Sequence, residues 1–150
     1  MSEYRSAFGN GKMNAALDVD SVVAEIGLDG DEIEARKEFL GFDERDAERL
    51  SGLEGLFADN ADQVAEDFYE NITSRDDTMA VLDRSPKGVE QLKRTQEAYF
   101  ATLADGQYGE QHFRDRARIG KLHDMLEMPM KHYIGQYGVY YDLILDLLRE

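Results

Sequence analysis

Apolar residues recur along this chain at intervals of three and four, interrupted by glycine, proline and short acidic runs. That is the pattern of helices that bury one face. Residues 1–20 show little of it and are expected to form a loose arm. Val22, Val23 and Ile26 make a short apolar patch, and Asp29-Gly30-Asp31 reads as a turn and helix start. A helix is expected over 32–39, broken by Gly41. Asp43 is placed to cap a second, carrying Ala47, Leu50, Leu53, Leu56 and Phe57. Asn60 is expected to start a third, with Val64, Phe68 and Ile72 on one face.

After a loop over 73–77, Met79, Val81 and Leu82 suggest a short helix. Ser85-Pro86 has the chemistry of an N-cap and first helical residue. The helix it is expected to open carries Val89, Leu92, Thr95 and Tyr99 and ends at Asp105-Gly106. Another is expected over 110–127, and Pro129 should open the last, running through Leu148. There is no internal repeat and no convincing strand. The expectation is an all-α fold, with residues 1–30 as a partly disordered arm and 31–150 as one domain.

Composition narrows the function classes. The 150 residues carry 32 acidic and 17 basic side chains, a net charge of −15. Such a surface repels nucleic acid and anionic membrane faces. No stretch approaches the roughly 18 apolar residues of a membrane span. The N-terminus has no signal-peptide core, so a cytoplasmic protein is expected. The absence of cysteine fits a reducing compartment and excludes thiolate metal sites. Lysine is scarce, six against eleven arginines, and acid is spread along the whole chain. That combination favours a halophile's protein, whose self-repulsion is screened by salt, over a merely acidic one.

The chemistry concentrates in 118–137, RIGKLHDMLEMPMKHYIGQY. His123, one of three histidines, sits on the expected helix between Ile119 and Leu126, one turn either side. Gly120 leaves a gap there at a cost of about 1 kcal/mol relative to Ala, and a close approach by something flat is one reason for it. A neutral imidazole on a cleared apolar face suits an axial haem ligand. The plainer alternative, a core histidine, is the more common case.

Arg118, Ile119, His123, Pro129, Lys131, Tyr133, Gly135 and Tyr137 occur in a spacing that resembles the globin-coupled sensors. These are the oxygen-sensing globin domains of haem-based aerotaxis transducers and related signalling proteins. The chain departs from the pattern with Met128 for Leu and His132 for Trp. The resemblance implies a globin fold, haem b (iron protoporphyrin IX) and His123 as its proximal iron ligand. It implies no catalytic residues, so no enzyme. Tyr133 is then expected to bring its hydroxyl to the imidazole, the alternative being a core or interface aromatic. Tyr69 in FYENI and Thr95 in LKRT match the family's distal positions, which contact or tune bound oxygen; otherwise Tyr69 packs as an ordinary aromatic and Thr95 bonds its own backbone. Phe68, Leu92, Tyr99, Ile119, Leu122, Leu126 and Tyr137 are expected to line the slot, or else to pack as plain core. His132 is expected at the surface or an interface, and His112 in solvent.

The family's C-terminal helices pair two domains, and Tyr133, Tyr137, Tyr140, Tyr141 and Ile144 make a stripe suited to such a homodimer. The family's domain normally carries one further helix, whereas this chain stops after LILDLLR. The expectation is a fragment of a longer transducer with a C-terminal chemotaxis output module, or a domain without that helix. The implied function is sensing of O2, with CO or NO as other ligands, for aerotaxis. An oxygen carrier or small haem catalyst, and a cofactor-free acidic interaction module, are the alternatives. If the halophile reading holds, the thermal unfolding midpoint rises from low to molar KCl; a flat midpoint refutes it.

Overall fold

The computed structural model describes residues 10–149. Among them the chain forms α-helices and one 3-10 turn, with no strand. The helices are α1 (Lys12–Ala15), α2 (Val19–Glu25), α3 (Gly30–Leu40), α4 (Glu44–Ser51), α5 (Glu54–Thr73), α6 (Asp76–Leu82), α7 (Val89–Ala101), α8 (Glu110–Met125) and α9 (Met130–Arg149). The 3-10 turn, Thr102–Ala104, extends the end of α7. None of these helices is long and apolar enough to cross a membrane.

Local chemistry sets most boundaries. Asp29 accepts from the Glu32 N–H at 2.9 Å and caps α3. Gly41 ends that helix with a φ of 67°, and the following Phe42 N–H returns to Lys37 O at 2.9 Å. Asp43 opens α4 with a reciprocal capping box to Asp46. Helix α8 closes by the same left-handed turn without glycine, since Glu127 holds a φ of 53°. Its strain, about 1–2 kcal/mol for a residue with a Cβ, is held by Arg84, which donates to Leu126 O at 2.9 Å and Glu127 O at 3.1 Å. Pro129 O then accepts from the N–H groups of His132 and Tyr133 and starts α9.

Three boundaries differ from expectation. The region expected to be loose carries α1 and α2 from residue 12 onward, and residues 1–9 lie outside the described residues. Asp18 caps α2, which packs against α8, and Asp20 pairs with Arg114. These helices are too short for periodicity to reveal. The second expected helix stops at Ser51, so Leu56 and Phe57 belong to α5, which begins six residues before Asn60. Asn60 caps nothing: its amide donates to Leu56 O at 2.8 Å within the helix. Ser85-Pro86 precedes α7 without capping it, because Ser85 Oγ accepts from the Lys87 N–H at 3.2 Å and Gly88 takes the cap position.

The core lies between α5 and α7. Phe57, Ala61, Val64, Ala65 and Phe68 bury one face of α5, and Ala98, Phe100 and Ala101 bury one face of α7. The alanines let the two backbones lie close. Phe57 and Phe100 stack at 4.7 Å with 3° between their planes. Tyr140 enters from α9, 5.1 Å from the Phe68 ring and 5.9 Å from that of Tyr99. Each of these rings contributes on the order of 1.5–3 kcal/mol by leaving water.

The α9 stripe divides. Tyr140 and Ile144 of the expected dimer face turn inward, as do Val139, Leu143 and Leu147. Ile134, Tyr141, Leu145 and Leu148 remain exposed on the other side, with Tyr137 between them and the interior.

Candidate functional site

Above the α5–α7 core the helices part around a cavity of about 360 Å³. Drug-sized ligands occupy pockets of about 300–1,000 Å³. Helix α5 presents Phe68 and Tyr69 to it, α7 presents Leu92, Thr95 and Tyr99, and α8 presents Ile119, Leu122, His123 and Leu126. Tyr133 and Tyr137 complete it from α9. The residues singled out in the sequence thus surround one space, although they lie up to 69 positions apart, from Phe68 to Tyr137. Helix α8 buries no apolar residue against protein; Asp115 is its one buried side chain. Its apolar face looks into the cavity instead.

His123 Nδ1 lies 2.8 Å from the carbonyl of Ile119, one turn back. A carbonyl only accepts, so Nδ1 carries the proton and the Nε2 lone pair is left to act as a donor toward a metal. Burial holds the imidazole below its ordinary value of 6.5, against the smaller opposing effect of that hydrogen bond. The ring is therefore neutral at pH 7. Tyr133 meets it edge-on, with centroids 5.4 Å apart. The tautomer is set by the backbone of Ile119. Tyr133 contributes a packing face to the ring, and its hydroxyl lies over Gly120, where an added Cβ would stand 3.7 Å away. Burial, and next its neighbour Tyr137, push the Tyr133 phenol up to about 12.

The two distal candidates differ. Thr95 Oγ1 donates to Gln91 O at 3.1 Å, committing its proton to its own helix. Tyr69 is 6% exposed, and burial raises its phenol above the ordinary value. Unlike Thr95, it gives no hydroxyl hydrogen bond to a carbonyl of its own helix among the described residues, and it lines the cavity.

Two histidines sit elsewhere than expected. His112 is not solvated: it packs edge-on against Tyr108 at 5.1 Å and near Phe113 at 5.7 Å, and its Nδ1 is buried. His132 is 17% exposed and lines the same cavity as His123. Its Nε2 lies 3.3 Å from Asp77 Oδ2, which also draws Lys131 Nζ to 3.7 Å. The reason is that α9 starts directly against α6, so both consecutive residues find Asp77.

Sequence reasoning missed the polar part of the lining. Lys12, Asn14, Lys87, Arg116 and Arg118 all face the cavity. Periodicity gives no signal for them, because they are polar residues on short or loop segments, or on the flank of an apolar face. Arg116 lies 5.1 Å above the Tyr99 ring and donates to Thr102 Oγ1 at 3.1 Å. Asn14 is buried, and its amide donates to Asn10 O at 2.7 Å.

The donor chemistry can be tested against a haem. Among the described residues no group of three or more His, Cys, Asp or Glu is placed to hold a metal ion. One neutral imidazole suits a metal that arrives inside its own chelator. Apolar walls on α5, α7 and α8 suit a flat macrocycle, and cationic edges suit its carboxylates. The residues present fit the group.

Desolvation of His123 also sets a pH dependence. A base whose folded pKa is depressed costs the ligand-free protein nothing above its unfolded value of 6.5. Stability is lost as pH falls below 6.5 and through the lower folded value, where the unfolded chain binds more protons. The unfolding midpoint should therefore drop more between about pH 7.5 and 5.5 in the wild-type chain than in His123→Leu. Parallel curves would contradict it.

The comparisons with known proteins accord with this geometry. The chain is 35% identical over 150 residues to the heme-based aerotactic transducer HemAT of Halobacterium salinarum. That alignment covers 100% of this chain and 31% of the relative, so the chain spans about a third of the relative's length. No solved structure gives a significant match. The Protoglobin family model matches residues 29–150, which include every helix from α3 to α9, and on that match the chain belongs to the protoglobin family.

Proposed function

We propose that this domain binds haem b and acts as an oxygen sensor for an output module in a longer chain. The observation that carries the reading is His123, a buried neutral imidazole with Nδ1 committed to Ile119 and Nε2 available, on an apolar cavity with basic edges. Likeness to a transducer named for heme and aerotaxis supports the sensing role over oxygen carriage or catalysis. The haem, when bound, supplies the iron at which a diatomic gas is held.

The chain's own groups then have distinct roles. His123 would hold the haem iron, and Ile119 O keeps its ring in one tautomer and one orientation. Tyr133 packs against the imidazole and stands on α9, so any movement of that ring is felt by the next helix. Tyr69 offers a hydroxyl to the gas; such a bond contributes about 1 kcal/mol net, several-fold in affinity. Thr95 serves the same side less directly, because its hydroxyl is already bonded to Gln91. Phe68, Leu92, Tyr99, Leu122 and Leu126 exclude water from the plane between them.

The exposed side of α9 is the route outward. Ile134, Tyr141, Leu145 and Leu148 recur at intervals of seven, four and three along one flank. This spacing suits a helix pairing with its copy in a homodimer, as C-terminal helices do in the resembling sensors. The acidic composition fits a cytoplasmic protein of a halophile.

Visible spectroscopy tests the cofactor. Addition of haem to the chain should give a strong Soret band that sharpens with CO, and His123→Ala should lose that axial ligation. A wild-type chain with no Soret band, or a His123→Ala variant with native haem stoichiometry and ligation, would sink the reading. Sedimentation tests the outward face: wild type should be a dimer and Tyr141→Glu with Leu145→Glu a monomer, whereas a monomeric wild type removes the dimer.

A further inference from the structure

Charge is distributed unevenly between the surface and the cavity. The chain has 32 acidic and 17 basic residues, about two acids for each base. The cavity lining reverses this, with Lys12, Arg75, Lys87, Arg116, Arg118 and Lys131 on it and no Asp or Glu. A lining of one sign of charge favours an anionic occupant.

Two of the six are already engaged. Arg116 lies over Tyr99 and donates to Thr102, and Lys131 shares Asp77 with His132. Among the described residues Lys12 and Lys87 have no acidic partner, and both line the cavity. Gly11 stands at the start of α1, immediately before Lys12, and an added Cβ there would lie 3.0 Å from Lys87 Cε and 3.9 Å from its Nζ. The Lys87 stem therefore crosses the backbone where α1 begins. Gly11 permits the crossing twice over, having no side chain to obstruct it and a φ of 100° that disfavours one. The result is that Lys87 reaches the backbone position next to Lys12, and both lysines line the same edge of the cavity, Lys12 exposed and Lys87 half-buried.

We propose that Lys12 and Lys87 form a carboxylate-binding edge of the cavity, occupied by the propionate groups of the haem. This assignment rests on the haem reading above. It does not follow from family membership, because Lys12 lies before residue 29, where the family match begins. The edge selects for a dianionic macrocycle and fixes its rotation in the slot, so that the charged side of the ring lies against α1 and the apolar side between α5 and α8.

The test uses the full chain at one fixed KCl concentration, loaded with iron protoporphyrin IX or with its dimethyl ester, which lacks the two negative charges. Haem loss to an excess apoglobin acceptor is timed. Lys12→Gln with Lys87→Gln should release iron protoporphyrin IX about tenfold faster than wild type, a modest loss for two charge-assisted contacts. Its Soret position should not change, because His123 still ligates. Wild type should retain the diacid longer than the diester, and the double variant should lose that preference. Lys12→Arg with Lys87→Arg keeps both charges and should behave as wild type, which covers a glutamine variant that fails to fold; Lys37→Gln, on α3 away from the cavity, should also be neutral. Wild-type release of the diester at the diacid's rate, or a glutamine variant with unchanged release, overturns this assignment alone. A wild-type chain that takes up neither porphyrin overturns the haem reading and this assignment together.

Discussion

The structure turns on a helix whose apolar face looks into a cavity instead of packing along a neighbouring helix. Helix α8 presents Ile119, Leu122 and Leu126 to a cavity, and its one fully buried side chain is Asp115, on another side. Ordinary helices gain most of their stability by burying that face against a neighbour. Here the helix is held in place from behind and from its end. Helix α2 packs against α8, Asp20 pairs with Arg114, and Arg84 grips the carbonyls of Leu126 and Glu127. These contacts fix α8 at its outer side and at its C-terminal end. A flat hydrophobic cofactor, as proposed above, would supply that apolar partner.

Electrostatics follow from the same opening. An imidazole beside water-filled space would titrate near its ordinary value; enclosed by apolar walls it stays neutral, and Ile119 O decides which nitrogen keeps the proton. The strongly acidic chain keeps its carboxylates off the cavity lining, and most of them lie where water and salt screen them. Basic side chains line the interior edges, and Arg116 is accommodated there by the face of Tyr99 and the hydroxyl of Thr102. The cavity is therefore lined by one sign of charge.

Helix α9 connects this interior to the outside. Tyr140 anchors it in the α5–α7 core and receives a hydrogen bond from Gln96. One turn and more before that anchor, Tyr133 touches the His123 ring and Tyr137 lies 6.2 Å from Tyr133. The opposite flank, with Ile134 and Tyr141, is exposed. A displacement at His123 thus meets a helix fixed at its middle and bare on its far side, which is the arrangement a lever needs.

Much of this was legible in the chain. The all-α class followed from apolar residues at three- and four-residue spacing, because a helix repeats every 3.6 residues wherever it occurs. Asp29, Gly41 and Asp43 announced their boundaries, since caps are local chemistry between residues three or four apart. The side chains around the cavity were nameable for a similar reason: Phe68, Tyr69, Leu92, Thr95, Ile119, His123 and Tyr133 lie on apolar faces of long helices, or match a spaced pattern. Tertiary structure decided the rest. Whether Tyr133 or a carbonyl orients His123 depends on the turn at Glu127 and Pro129, which sets the angle between α8 and α9. The division of the α9 stripe depends on which flank meets α5 and α7. The basic edge at Lys12 and Lys87 exists only because α1 folds back onto residues 75 positions later, a contact with no periodicity to betray it. Local rules bind neighbours in the chain; the charge and shape of a cavity are set by residues that only folding makes neighbours.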